Sequence, residues 1–172
     1  MSDCEICLML EQKNEFKIIY DDPVCKAFLH EAPANKGHAI IIPNNHYTIF
    51  EEVPDNELEH MFIVANRVSV SVFETLGAHG TNILINNGPS AGQDLNHFII
   101  NVIPRFENDG VNLDWEMKQA DPNSLKQTKE LISENADKIF YGNDDKEPVS
   151  FDNKKLDNNE SLMVKELRRI PQ

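Results

Sequence analysis

Two cysteines stand three residues apart at the start of the chain, as Cys4-Glu5-Ile6-Cys7. That spacing presents two thiolates to one cation, the chemistry of a metal knuckle. A second suggestive stretch runs from Gln93 to Arg105, "QDLNHFIINVIPR". Side chains alternate along an extended chain, so His97, Ile99 and Asn101 share one face. A polar, an aliphatic and a polar residue in that order are an odd choice for a simple core strand. His30 sits next to Glu31. A histidine beside a carboxylate can act as acid or base, although a satisfied rim histidine is the plain alternative. Cys25 lies in an apolar run and reads as a small core residue. His60 reads as solvated, and His79, before Gly80, has no assigned role.

These residues need a frame. "FKIIYDD" and "VCKAFLH" read as two strands joined at the turn signal Asp21-Asp22-Pro23, and "GHAIIIP" as a third, stopped by Pro43. In "PDNELEHMFIVANRVSVSVFETLG", Leu58, Met61, Ala65, Val68, Val72 and Leu76 recur at helical spacing. They predict one long helix with a buried stripe, begun at Pro54 and Asp55 and ended at Gly77. "GTNILINN" reads as a fourth strand and "HFIINVIP" as a fifth. Strands on either side of one long helix define an α+β domain, expected over residues 1–120. Trp115 is expected to anchor an ordered arm there. Residues 121–142 predict an amphipathic helix from Leu125, Thr128, Leu131, Ile132 and Ile139. Residues 143–172 are polar and acidic; they are expected to be mobile, with a possible short terminal helix available to a protein partner.

The 172 residues carry 16 basic and 29 acidic side chains, a net charge of −13, and 40% of them are hydrophobic. That suits one core. It disfavours nucleic acid as a partner, because phosphate binding relies on Lys and Arg clusters. No long apolar run or signal peptide is read, so a cytoplasmic protein without a membrane partner is expected. Three cysteines in a reducing compartment argue against a disulfide framework.

Three blocks, "FLHEAPANKGHAIIIPNNHY", "NILINNGPSAGQ" and "HFIINVIPR", together resemble the histidine triad (HIT) superfamily over about residues 4–120. The resemblance implies an antiparallel sheet of five strands with one long helix, and a homodimer paired through that helix and the adjacent strand. It also implies a signature His-x-His-x-His, of which only His97 is present, with Ile99 and Asn101 at the other two positions. The middle histidine would carry the nucleotide covalently, which needs an imidazole nitrogen that Ile99 lacks. His30 stands where the family places a ribose-binding Asp. Asp94 stands where a Ser or Thr would donate to phosphate, and a carboxylate there opposes a phosphate by about 4 kcal/mol. Asn82, Asn86, Gly88, Gly92, Gln93 and Arg105 keep the family frame, and His38 matches a packing and hydrogen-bonding position.

The resemblance thus implies a pocket of His30, Asn86, Gln93, Asp94, Ile99, Asn101 and Arg105, refitted for a small planar heterocycle such as a pteridine. His30, Asp94 and Asn101 would be its acid–base or polar groups. Decay of an unused site is the alternative, as are residual nucleotide hydrolysis and a non-enzymatic interaction module. In one branch of the superfamily the knuckle is closed by two histidines, here His46 and His97. Cys4, Cys7, His46 and His97 would then bind a structural Zn²⁺.

Overall fold

The computed structural model describes residues 4–11 and 17–136. The amphipathic run from 121 is helical over Pro122–Ala136, and residues 137–142 and the tail at 143–172 lie outside the described residues. The chain divides into two compact units. Among the described residues the first extends to Val111, and the second begins at Asn112.

In the first unit, helix α1 (Glu5–Glu11) precedes strands β1 (Ile18–Asp21), β2 (Cys25–Leu29) and β3 (Ala39–Pro43). Helix α2 (Asp55–Leu76) is followed by β4 (Gly80–Leu84) and β5 (Ile100–Arg105). The five strands form one antiparallel sheet in the order β1-β2-β3-β5-β4. β3 lies in its centre and is buried at every position. This explains why "AIIIP" shows no alternation of polar and apolar residues: both faces of the strand are covered.

One face packs against α2. Ala27, Ala39, Ile41, Ile100 and Val102 meet Met61, Val64, Ala65, Val68 and Val72 there. The stripe read from the sequence is the buried one, with Leu58 and Leu76 at its partly buried ends. The opposite face, with Phe28, Ile40 and Ile42, packs against Cys4 and Ile6 of the N-terminal segment. α1 is an element the sequence reading did not anticipate.

α2 ends where Gly77 turns to φ 67° and ψ 32° and its N–H reaches the Phe73 carbonyl. A Cβ at Gly77 meets nothing within 4 Å, so only backbone strain opposes a side chain. Gly77→Ala is expected to lower unfolding free energy by about 1 kcal/mol, as read by urea denaturation. An unchanged midpoint would contradict this.

The last strand starts later than expected, at Ile100 rather than His97. Its ladder with β3 ends at the pair Ile41–Ile100. Before that point the chain follows the loop after β3 instead, with the Phe98 N–H donating to the Tyr47 carbonyl at 2.7 Å. The Pro43 carbonyl accepts from the His97 imidazole at 3.2 Å.

The second unit holds helix α3 (Pro122–Ala136). Trp115, expected to be an anchor, is 82% exposed. Leu125, Leu131 and Ile132 of α3 are also exposed.

Candidate functional site

The four knuckle residues converge. Cys4 precedes α1 and Cys7 lies in its first turn, so one helical turn places both sulfurs on the same side. Cys4 Sγ is 3.5 Å from His97 Nδ1, and Cys7 Sγ is 3.7 Å from the same nitrogen and 3.3 Å from His46 Nδ1. All four ligand atoms lie within 4.8 Å of one another. A tetrahedron with ordinary Zn–S and Zn–N bonds has S···N edges of about 3.6 Å, so the donor set fits a single cation of that kind.

The tautomer of His97 suits it to this role. Its Nε2–H donates to the Pro43 carbonyl, leaving the Nδ1 lone pair aimed at the thiols. The ring is 1% exposed, and burial holds it below the ordinary imidazole range, only partly offset by the Pro43 bond. A neutral imidazole is the form that binds metal. His46, on the exposed loop after β3, meets the His97 ring edge-on at 5.3 Å.

Beside this cluster, on the same face of the sheet, lies a cleft of about 180 Å³. Its lining includes His30, Asn86, Gln93, Asp94, Ile99 and Asn101, so six of the seven residues expected in the pocket come together. Ile40 and Leu95 add to the aliphatic wall of Ile99. Arg105 does not line the cleft. Its guanidinium binds the Asp109 carboxylate at 2.7 and 3.0 Å, Asn82 Oδ1 at 2.7 Å and the Val111 carbonyl at 2.5 Å. It is a latch that closes the end of the first unit.

Within the cleft, most polar side chains are already engaged. Gln93 accepts from the Gly88 N–H and donates to the Thr48 and Leu95 carbonyls, so it staples the loop. Asn86 donates to the Gly92 carbonyl at 3.0 Å. Asn101 donates to the Leu84 carbonyl, and its Oδ1 lies 3.1 Å from His38 Nε2. His38 Nδ1 accepts the Ala34 N–H, which puts the ring proton on Nε2 and makes His38 the donor to Asn101. The expected free handle at Asn101 is therefore committed to the scaffold.

His30 stacks on His38 with ring centroids 4.7 Å apart, and its Nδ1 accepts the Ala32 N–H. Its Nε2 points elsewhere, with no hydrogen-bond partner among the described residues. Asp94 is exposed and likewise unpaired among them. The groups left to meet a ligand are thus His30, Asp94 and the Asn86 amide oxygen, not the full polar set read from the sequence. His38, expected at a packing and hydrogen-bonding position, takes Asn101 and His30 as its particular partners, which the structure adds.

His60 is not simply solvated, as expected. Its Nε2 lies 2.5 Å from the Asp22 carboxylate, which also accepts from the Tyr20 hydroxyl at 2.5 Å and from the N–H groups of Val24 and Cys25. Burial works to raise Asp22, but these bonds outweigh it and hold the carboxyl well below the usual range. The Cys25 thiol, raised by burial and by Asp22, is pushed up to about 12. Asp22, Cys25 and His60 lie close enough to share a cation. With the thiol protonated and the carboxylate saturated, they form a knot tying the β1–β2 turn to α2.

Comparison with known proteins defines the class. The HIT domain family model matches residues 11–108. The chain belongs to the HIT domain family. It is 42% identical over 107 residues to an uncharacterized HIT-like protein of Methanocaldococcus jannaschii, covering 62% of this chain and 82% of that one. It is 33% identical over 129 residues to the adenylylsulfatase HINT3 of Arabidopsis thaliana, covering 75% of this chain and 64% of that one. Among solved structures it is similar to a Zn-bound histidine triad family protein of Mycobacterium smegmatis, at 25% identity and a TM-score of 0.59, over 79% of this chain and 97% of that one.

Among the described residues, no helix is long and apolar enough to cross a membrane.

Proposed function

We propose that this protein is a zinc-stapled HIT domain that binds a small planar heterocycle in the cleft beside Ile99, without a nucleotidyl-histidine intermediate. The observation that carries the reading is the cleft itself. Its wall at the central triad position is an alkyl side chain with no lone pair, and its unengaged polar groups are His30, Asp94 and the Asn86 amide oxygen. Aliphatic walls suit a flat ring. The Asp94 carboxylate suits a ring edge bearing N–H donors, as in a pteridine, and opposes a phosphate. If the cleft is catalytic, His30 and Asp94 are its acid–base pair, while Asn101 holds the frame. Four ligands leave a Zn²⁺ no open position, so the metal would pin the N-terminal segment to the sheet and take no part in chemistry.

A homodimer is part of the proposal. The outer edge of β4 is unpaired among the described residues, and Ile83 beside it and Phe62 and Ile63 of α2 are exposed. The reduced thiols fit a cytoplasmic setting. A second reading, an interaction module, is favoured by the exposed Leu125, Leu131 and Ile132 of α3. Residual nucleotide hydrolysis has the similarity to an adenylylsulfatase in its favour. It ranks behind, because Ile99 and Asp94 both oppose phosphoryl chemistry.

Thermal shift on the metal-loaded protein separates these readings. A pterin or folate at 100 times its dissociation constant is expected to add about 2.7 kcal/mol, roughly 10 °C, whereas AMP adds nothing measurable. Stabilisation by AMP together with turnover of adenylylsulfate would overturn the proposal.

A further inference from the structure

A different cavity, of about 420 Å³, opens on the other face of the sheet, between α2 and the β1–β2 edge. Its volume falls within the range of small-molecule sites. α2 contributes Val64, Val68, Val72 and Leu76, one stripe at successive turns, and Ile19 and Leu29 face it from the sheet. The walls are therefore almost wholly aliphatic.

The polar exceptions sort by charge. The Tyr20 hydroxyl is committed to Asp22, and the Thr75 hydroxyl to the Ser71 carbonyl. Ser71, Lys36 and Arg67 remain, and all three can donate. Lys36 and Arg67 are exposed and make no ion pair with a carboxylate among the described residues. No acidic side chain is among the described lining residues. In a chain of net charge −13, this is a local reversal of sign around an apolar slot.

We propose that this groove binds a free amphipathic anion, with an aliphatic chain in the slot and its carboxylate between Arg67 and Lys36. A guanidinium fork matches a carboxylate in two parallel hydrogen bonds, and the ammonium adds a point charge. Charge also argues against the chain's own last residues as occupant. Residues 160–172 carry Lys165, Arg168 and Arg169 against Glu160 and Glu166, so their side chains bring no anionic excess to the groove.

Isothermal titration of the full-length, metal-loaded protein tests this, with decanoate and decyltrimethylammonium below their micellar concentrations. Decanoate is expected to bind at one saturable site, with the cationic amphiphile at least roughly tenfold weaker, because the chains are alike while its head group carries the opposite charge and cannot accept from Arg67. The Lys36→Glu/Arg67→Glu double variant should lose decanoate affinity by a similar factor. Ser71→Trp, at an exposed helix position facing the slot, should block binding without moving the melting temperature. Equal binding of the two amphiphiles, or an unaffected double variant, would overturn the proposal. So would decanoate binding that appears only after truncation at Asn159, which would make the C-terminal segment the occupant. Dissociation of an oligomer by Ser71→Trp would assign the groove to a second copy and equally overturn it.

Discussion

Purified protein is expected to carry about one equivalent of zinc, and removing it is expected to destabilise the fold more than any other single change considered. The reason is the topology of the ligands. Two come from the N-terminal segment and two from the sheet side, one in the loop after β3 and one just before β5. Without the ion, the N-terminal segment is held by the apolar contacts of Cys4 and Ile6 with Phe28, Ile40 and Ile42 and by weak thiol–imidazole contacts. A metal present at 1,000 times its dissociation constant contributes about 4 kcal/mol, which for a domain of this size is about 15 °C in melting temperature. Chelation or Cys4→Ala should produce that loss, and Cys4→Ala should also abolish metal content by elemental analysis. Cys25→Ala is the control: its thiol faces Asp22, so it should retain the metal. Less than half an equivalent of zinc, not regained on reconstitution, would sink the assignment.

His38→Ala should lower unfolding free energy by about 3 kcal/mol, combining a cavity with an orphaned acceptor. His38 is 6% exposed, accepts the Ala34 N–H, donates to Asn101 and stacks on His30. Its loss therefore frees both Asn101 and His30, and ligand binding in the cleft should weaken with it. A pH signature accompanies this. Burial lowers the His38 pKa, with the Asn101 bond opposing and His30 assisting. The unfolded chain then takes up a proton near the ordinary value of about 6.5, while the folded protein resists until lower pH. Stability from neutral His38 is thus fully present above that value and declines as pH falls through the interval below it. Comparing urea midpoints of wild type and His38→Gln between neutral and mildly acidic pH isolates the effect from His97, whose pKa is also lowered. Parallel curves would refute it.

The sheet and the long helix were legible because their signals are local. Val64 and Ser69 joined a stripe whose period was already visible, and Pro43 and Gly77 marked real ends. The Cys4–Cys7 pair was legible as a knuckle, and its closure by His46 and His97 followed from family resemblance before geometry placed the four together. Trp115 was read as an anchor from its residue type alone, and it is 82% exposed. His60 was misread because its partner, Asp22, is thirty-eight positions away in the chain.

What the sequence alone determined is the set of chemical capacities: two thiols and two imidazoles that can hold a cation, an alkyl side chain at Ile99, and a carboxylate at Asp94. Residue type fixes these, wherever the chain places them. What only the tertiary structure decided is which of those groups remain available. Gln93, Asn101 and Arg105 look equally ready in the sequence, yet each is engaged by partners such as the Thr48 carbonyl, His38 and Asp109. A hydrogen-bonding group can serve a ligand only with the capacity its own fold has not already taken. That depends on neighbours brought together across the sheet, which no local pattern records.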